Sequence, residues 1–257
     1  MTSPLESVVS NVSFVLEQNA RLITTVGALS AVSLAIVPIL EQNYRAYIDA
    51  GRGGLPPNVY GWAKSSLMKI FLACETTNTD MYLNDPNKDA WLDPSEIAKR
   101  SGERPTFNWH PVPSRQITQR ADAVMNEKIQ NLIPKYARAN PDLVKITLSP
   151  HEKQNDALVI HPDRPAPHRV ATAALREILH IHDGTDWSIH CLLSPLDCKL
   201  VIDQGRGERH PMSGSPLLVK EYLTIYTPRD DEELRIVEAI VRASIGYMTG
   251  SRDVKES

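Results

Sequence analysis

Between Arg176 and Met212 the chain holds four of its eight histidines, His180, His182, His190 and His210, in an alternation that leaves few folds open. Leu179 and Ile181 alternate with His180 and His182. After the turn Asp183-Gly184-Thr185-Asp186, the residues Trp187, Ile189, Cys191 and Leu193 alternate with Ser188, His190 and Leu192. Period-two alternation on both sides of an Asp/Gly-rich turn predicts a β-hairpin. With both apolar sets turned to one core, His180, His182 and His190 share the opposite face; a slip of one residue would bury His190 among the apolar set instead. Three imidazoles on one sheet face concentrate groups that titrate near neutrality. The plainer reading makes them half-exposed strand residues satisfied by water or backbone.

Ser194-Pro195 through Ile202 reads as a short helix with Pro in its first turn, stopped by Gly205-Arg206-Gly207. The polar run Glu208-Arg209-His210-Pro211 then has the length to fold back over the histidine face. Upstream, a helix is expected from Arg115, with Ile117, Val124, Ile129, Leu132 and Ile133 on one stripe. Val144, Ile146 and Leu148 alternate as a strand, and a second strand is expected around Ala157 to Ile160. Lys220 to Thr227 predicts another, and Asp230 with Glu233 forms a capping box for a last helix ending at Gly250. The expected architecture is α+β: a mainly antiparallel sheet with helices packed on one face, its histidine face left open for a ligand.

Leu22 to Leu40 carries no charge and is bounded by Arg21 and Glu41. At a rise of about 1.5 Å per residue it spans roughly 28 Å, near the thickness of a bilayer core. A transmembrane helix is therefore expected to precede the α+β domain, making the protein single-pass and membrane-anchored with lipid as a partner. Arg45 and Arg52 after the segment, against Arg21 before it, turn the main domain to the cytosol. The expected organisation is a polar tail over 1–21, an anchor over 22–40, a juxtamembrane helix and extended linker over 41–113, the main domain over 114–250 and a tail over 251–257. A formal net charge of -3 gives no reason to expect nucleic acid. Three cysteines without C-x-x-C spacing point to neither a disulfide framework nor a zinc knuckle.

The segments REILHIHD, Ser188-Ile189-His190, Gly-x-Gly-Glu-Arg-His-Pro, YTPRDDEEL and ASIGYMTG resemble the fungal luciferase family. The resemblance continues more weakly through YRAYIDAG and Gly102-Glu103-Arg104-Pro105 to Arg115-Gln116. It implies a bioluminescence-related oxidoreductase that oxidises a hydroxypyrone of the 3-hydroxyhispidin type with molecular oxygen and no separate cofactor or metal. Such an oxygenase needs a base, groups that stabilise an enolate, and a dry pocket. His180, His182 or His190 is a candidate base; Arg209 and His210 are candidates for holding the anion, and Asp183, Arg206, Tyr222 and Tyr226 for contacting the substrate. Where the family carries Trp between the two glycines this chain has Arg206, so light emission is a separate question from family membership. Two other readings remain open: a metal-dependent enzyme using the histidine cluster, since His-x-His on a strand facing a third His is a ligand arrangement, and a luciferase-like binding module without turnover.

Overall fold

The computed structural model describes residues 4–256. The chain divides into two compact units, Met1–Ala46 and Tyr47–Ser257. Two helices occupy the N-terminal region: α1 (Pro4–Gln18) and α2 (Ala20–Asp49). Among the described residues no helix is long and apolar enough to cross a membrane. This overturns the expected transmembrane anchor at Leu22–Leu40 and the single-pass localisation drawn from it. Lack of charge is a weaker criterion than apolarity. Thr24 and Thr25 return their hydroxyls to the carbonyls of Ala20 and Arg21 at 2.7 and 2.8 Å, Pro38 sits inside α2, and the helix continues through Glu41, Gln42 and Asn43. The side chains of residues 23, 27 and 29–33 lie outside the described residues.

In the larger unit, α3 (Val59–Phe71) starts at Asn58, whose side chain accepts from the Gly61 N–H. The short α4 (Asp80–Leu83) follows, then a 3-10 turn over Pro94–Glu96 capped by Asp93. The expected single helix from Arg115 begins later and is broken in two, α5 (Ala123–Gln130), capped by Asp122, and α6 (Leu132–Ala139). Arg115 and Gln116 stay extended because their hydrogen bonds go elsewhere: the Gln116 N–H donates to Asp186 and the Arg115 N–H to Asn108.

The sheet holds β1 (Val144–Leu148), β2 (Asp156–Ile160), β3 (Glu177–Ile181), β4 (Ile189–Leu192), β5 (Gly207–Arg209) and β6 (Tyr222–Ile225) in the order β1-β2-β3-β4-β6-β5. Every pairing is antiparallel. Helix α7 (Arg169–Ala173) leads into β3, and α8 (Pro195–Asp203), capped by Ser194, leads from β4 to β5. The last helix, α9 (Asp231–Thr249), capped by Asp230, crosses β3 and β4. Leu179, Ile181, Ile189, Cys191, Leu223 and Ile225 join the α9 residues Val237, Ile240, Val241 and Ile245 in one core. At about 1.5–3 kcal/mol for each fully buried aliphatic side chain, this stripe fixes the hairpin register.

The other face is not open. His180, His182, His190 and His210 are all buried, because the segment around Arg115, the turn at His151–Glu152 and the loop from His210 to Leu218 lie over them. Covering loops of this kind leave no periodic trace in sequence.

Candidate active site

The antiparallel register places His180 opposite His190 and His190 opposite Thr224, so the imidazoles come from adjacent strands of one face. Ring centroids of His180 and His190 are 5.1 Å apart, those of His182 and His190 4.5 Å, and those of His190 and His210 5.0 Å. Three of these rings are held in the same way. His180 Nδ1 lies 2.7 Å from Glu177 Oε1, and His182 Nδ1 lies 2.9 Å from Asp186 Oδ1. His190 Nδ1 lies 3.1 Å from Thr224 Oγ1 and 3.3 Å from the Leu223 carbonyl. An N–H at each Nδ1 satisfies these acceptors and leaves the lone pair on Nε2. His180 Nε2 is buried without a hydrogen-bond partner.

The holders are themselves held. Asp186 accepts from Ser188 Oγ at 2.8 Å and from the Gln116 N–H at 2.5 Å, and Glu177 accepts from Ser149 Oγ at 2.7 Å. Trp187 adopts a positive φ of 61°, strained for a bulky side chain, between Asp186 and Ser188, whose side chains both reach His182. Across the rings, Arg115 Nη1 donates to Glu152 Oε1 and approaches His182 Nε2, each at 2.9 Å.

Burial alone would raise all three acids, but the guanidinium and hydrogen bonds win. The Arg115 guanidinium holds the Glu152 carboxyl well below the usual range. Hydrogen bonds from His180 and His182 lower Glu177 and Asp186. Burial depresses His190 and brings His210 down to about 3. At His182 burial and Arg115 disfavour a second proton while Asp186 and Glu152 favour it, the carboxylates prevailing on charge. The 2.9 Å contact opposes that: a guanidinium only donates, so Nε2 facing it carries a lone pair and the ring is neutral.

A cavity of ≈ 250 Å³ opens onto this cluster. His190, His210, Tyr222 and Glu152 form its inner wall, with His151, Lys64 and Met68 toward the rim. His210 Nδ1 accepts from the Met212 N–H at 3.0 Å, leaving Nε2–H as a donor. His151 Nε2 lies 3.3 Å from the Ala174 carbonyl, leaving Nδ1 as an acceptor. A larger cleft of ≈ 420 Å³ between Gln130, Ile146 and Asp183 has no histidine in its lining and offers no comparable chemistry.

Among the other residues singled out from sequence, Tyr222 lies in this cavity, its ring 5.2 Å from that of His190. Asp183 lines the other cleft, where Gln130 Nε2 donates to it at 3.2 Å. Arg209 donates from Nη2 to the Ser213 carbonyl and from Nη1 to the Glu75 carbonyl. Tyr226 donates to Glu208 at 2.8 Å. Arg206 donates to the Ala98 carbonyl at 2.7 Å and pairs with Glu233 at 3.1 Å, outside the cavity lining. Sequence reasoning missed Glu177, Asp186 and Ser188, although they stand within the hairpin three to six residues from the histidines they hold. Glu152, His151, Arg115 and Lys64 arrive from distant segments and gave no local signal.

A family model described as the luciferase domain matches residues 175–244. Over 243 residues the chain is 31% identical to a luciferase of Armillaria mellea, covering 90% of both chains. It is 32% identical over 236 residues to a luciferase of Neonothopanus nambi, covering 88% of this chain and 86% of that one. No solved structure matches. The matched segment contains the histidine hairpin and the carboxylates that hold it, and the likeness runs through the covering loops as well: the chain belongs to the fungal luciferase family.

Proposed function

We propose that the protein is a luciferase-like oxygenase that binds an acidic hydroxypyrone in the histidine cavity and brings its enolate to molecular oxygen. The observation that carries this reading is that one cavity presents a proton acceptor together with hydrogen-bond donors. His151 offers its Nδ1 lone pair to the enol proton, while His210 Nε2–H and the Lys64 ammonium face the oxygen on which negative charge develops. A flat ring suits the space: ≈ 250 Å³ lies just under the roughly 300–1,000 Å³ usual for ligand cavities, and Tyr222 and Met68 offer apolar surface beside the polar atoms. Burial of His190 and His210 keeps those rings neutral, so they orient the substrate without adding charge to the cavity floor. The enolate carbon then donates its electron pair to oxygen, and the resulting peroxide is sheltered from bulk water by the covering loops.

Oxygen uptake and photon emission followed together, with a panel of hydroxylated styrylpyrones, test the reading. Uptake is expected from the full-length chain, and His151→Ala should lower it by about 10²–10⁴-fold, the range for loss of a general base. Tight pyrone binding with no uptake would instead make the chain a binding module.

A further inference from the structure

From the same cavity we infer that Glu152, His180, His182 and His190 form a site for a divalent first-row transition ion. Each offers a ligand atom, and all four atoms lie within 4.8 Å of one another. An ion bonded at about 2.1 Å to each donor sets neighbouring donors roughly 3.0–3.4 Å apart and a trans pair roughly 4.2 Å apart, so neighbouring donors near the 4.8 Å limit draw together by about 1.4–1.8 Å on binding.

Three further observations point to an ion rather than to a chance meeting of side chains. All three imidazoles are pinned through Nδ1, to Glu177, Asp186 and the Leu223 carbonyl, which turns every Nε2 inward. Ligating histidines are held by just such carboxylate and carbonyl acceptors. The Nε2 of His180, a residue with no solvent exposure, has no hydrogen-bond partner, a costly arrangement for a polar atom unless something binds it. Charge complementarity is the third. Glu152, Glu177 and Asp186 are three buried carboxylates set against the one guanidinium of Arg115. With neutral imidazoles two negative charges remain, and a divalent ion supplies the balance.

Arg115 is the competitor, because its Nη1 rests on His182 Nε2 and Glu152 Oε1. It also has the carbonyls of Ser114 and Arg52 at 3.0 and 2.6 Å, and these keep the guanidinium at the wall when Nη1 gives up His182. Three imidazoles and one carboxylate suit iron, cobalt, nickel or zinc better than magnesium or calcium. His190 and Glu152 line the cavity, so an open coordination position faces the substrate space. The use of the ion rests on the oxygenase reading; its binding does not.

Untagged full-length protein, stripped with chelator and dialysed against Co²⁺, provides the test through elemental analysis and visible absorption. About one equivalent of Co²⁺ with d–d bands is expected. His180→Ala and His190→Ala should remove the bands. Glu177→Gln, which touches no ion, should weaken binding about 10–100-fold, and Tyr226→Phe should leave it unchanged. Because some variants can misfold, the stripped wild-type chain is the deciding sample: no Co²⁺ uptake, or bands that survive in folded His180→Ala, overturns the inference. Oxygen uptake separates the two proposals. Stoichiometric Co²⁺ without turnover on any pyrone keeps the ion site and sinks the hydroxypyrone reading. Full turnover by chelated, metal-free protein keeps the hydroxypyrone reading and overturns a catalytic use of the ion, while Co²⁺ uptake decides the site itself.

Discussion

Two of the regions that bury charge among the described residues differ in what they leave over for binding. At the start of α9 the Glu233 carboxylate receives three guanidiniums: Arg100 at 2.9 Å, Arg206 at 3.1 Å and Arg229 at 2.5 Å. Both of its oxygens are taken, and the cluster lines neither of the two cavities discussed above. In the histidine cluster the carboxylates are equally well satisfied, yet their effect is to turn imidazole lone pairs inward, toward each other and a cavity. Buried charge by itself therefore marks no site. What distinguishes a site is binding capacity left over after every holder has been satisfied.

The comparison breaks most readily at Glu233. Glu233→Ala leaves three arginines without their shared acceptor, and a loss of about 3–5 kcal/mol is expected in urea unfolding. Folded protein at low temperature should keep its Co²⁺ and pyrone binding, because the arginine cluster serves the fold alone. A variant that stays stable but loses ligand binding would show that the two regions are coupled.

A step smaller, Leu179→Ala in β3 should cost about 2–4 kcal/mol through the cavity it leaves under α9. Leu179 alternates directly with His180, so this substitution separates the two faces of one strand. Its unfolding midpoint should fall while the Co²⁺ spectrum of the remaining folded fraction stays as in wild type. A changed spectrum would mean that the core sets the ligand geometry more tightly than the Nδ1 hydrogen bonds do.

Arg206→Trp comes next. It inserts the family's residue into a position already filled by the Ala98 and Glu233 contacts, and overpacking should cost about 1–3 kcal/mol. The resemblance placed Arg206 among the candidates for contacting the substrate. Its side chain instead turns to the arginine cluster, so the ratio of photons to oxygen consumed should be the same in both proteins. A brighter variant would show that position 206 reaches the cavity after all.

How much of this was legible beforehand follows from where each signal is stored. The hairpin, its register and the shared histidine face are written in period-two alternation, and His180, His182 and His190 do meet as that pattern requires. The capping residues Ser194 and Asp230 are local and were equally readable. The ligand and base candidates Glu152 and His151 stand in a turn after β1, and Arg115 in an extended segment before α5; only tertiary folding brings them over the rings. The uncharged run at Leu22–Leu40 misled for a different reason, since hydroxyl side chains escape a criterion based on charge.

The smallest effect concerns protons. His110 is buried among Tyr47 and Trp109, with ring centroids at 5.1 and 4.9 Å, and burial brings it down to about 4. Its unfolded value is near 6.5, so between these limits the unfolded chain binds the extra proton. Stability from this ring is therefore complete above about pH 6.5, falls as the pH drops, and is lost by about pH 4. Other buried groups also titrate on acidification, which makes a single curve ambiguous; the difference between wild type and His110→Phe removes them. The stability of wild type relative to the variant should shrink steadily as the pH falls from 6.5 to 4, read from paired urea midpoints. Parallel curves across that window would mean that the surrounding loop accommodates the His110 proton and that burial does not exclude it.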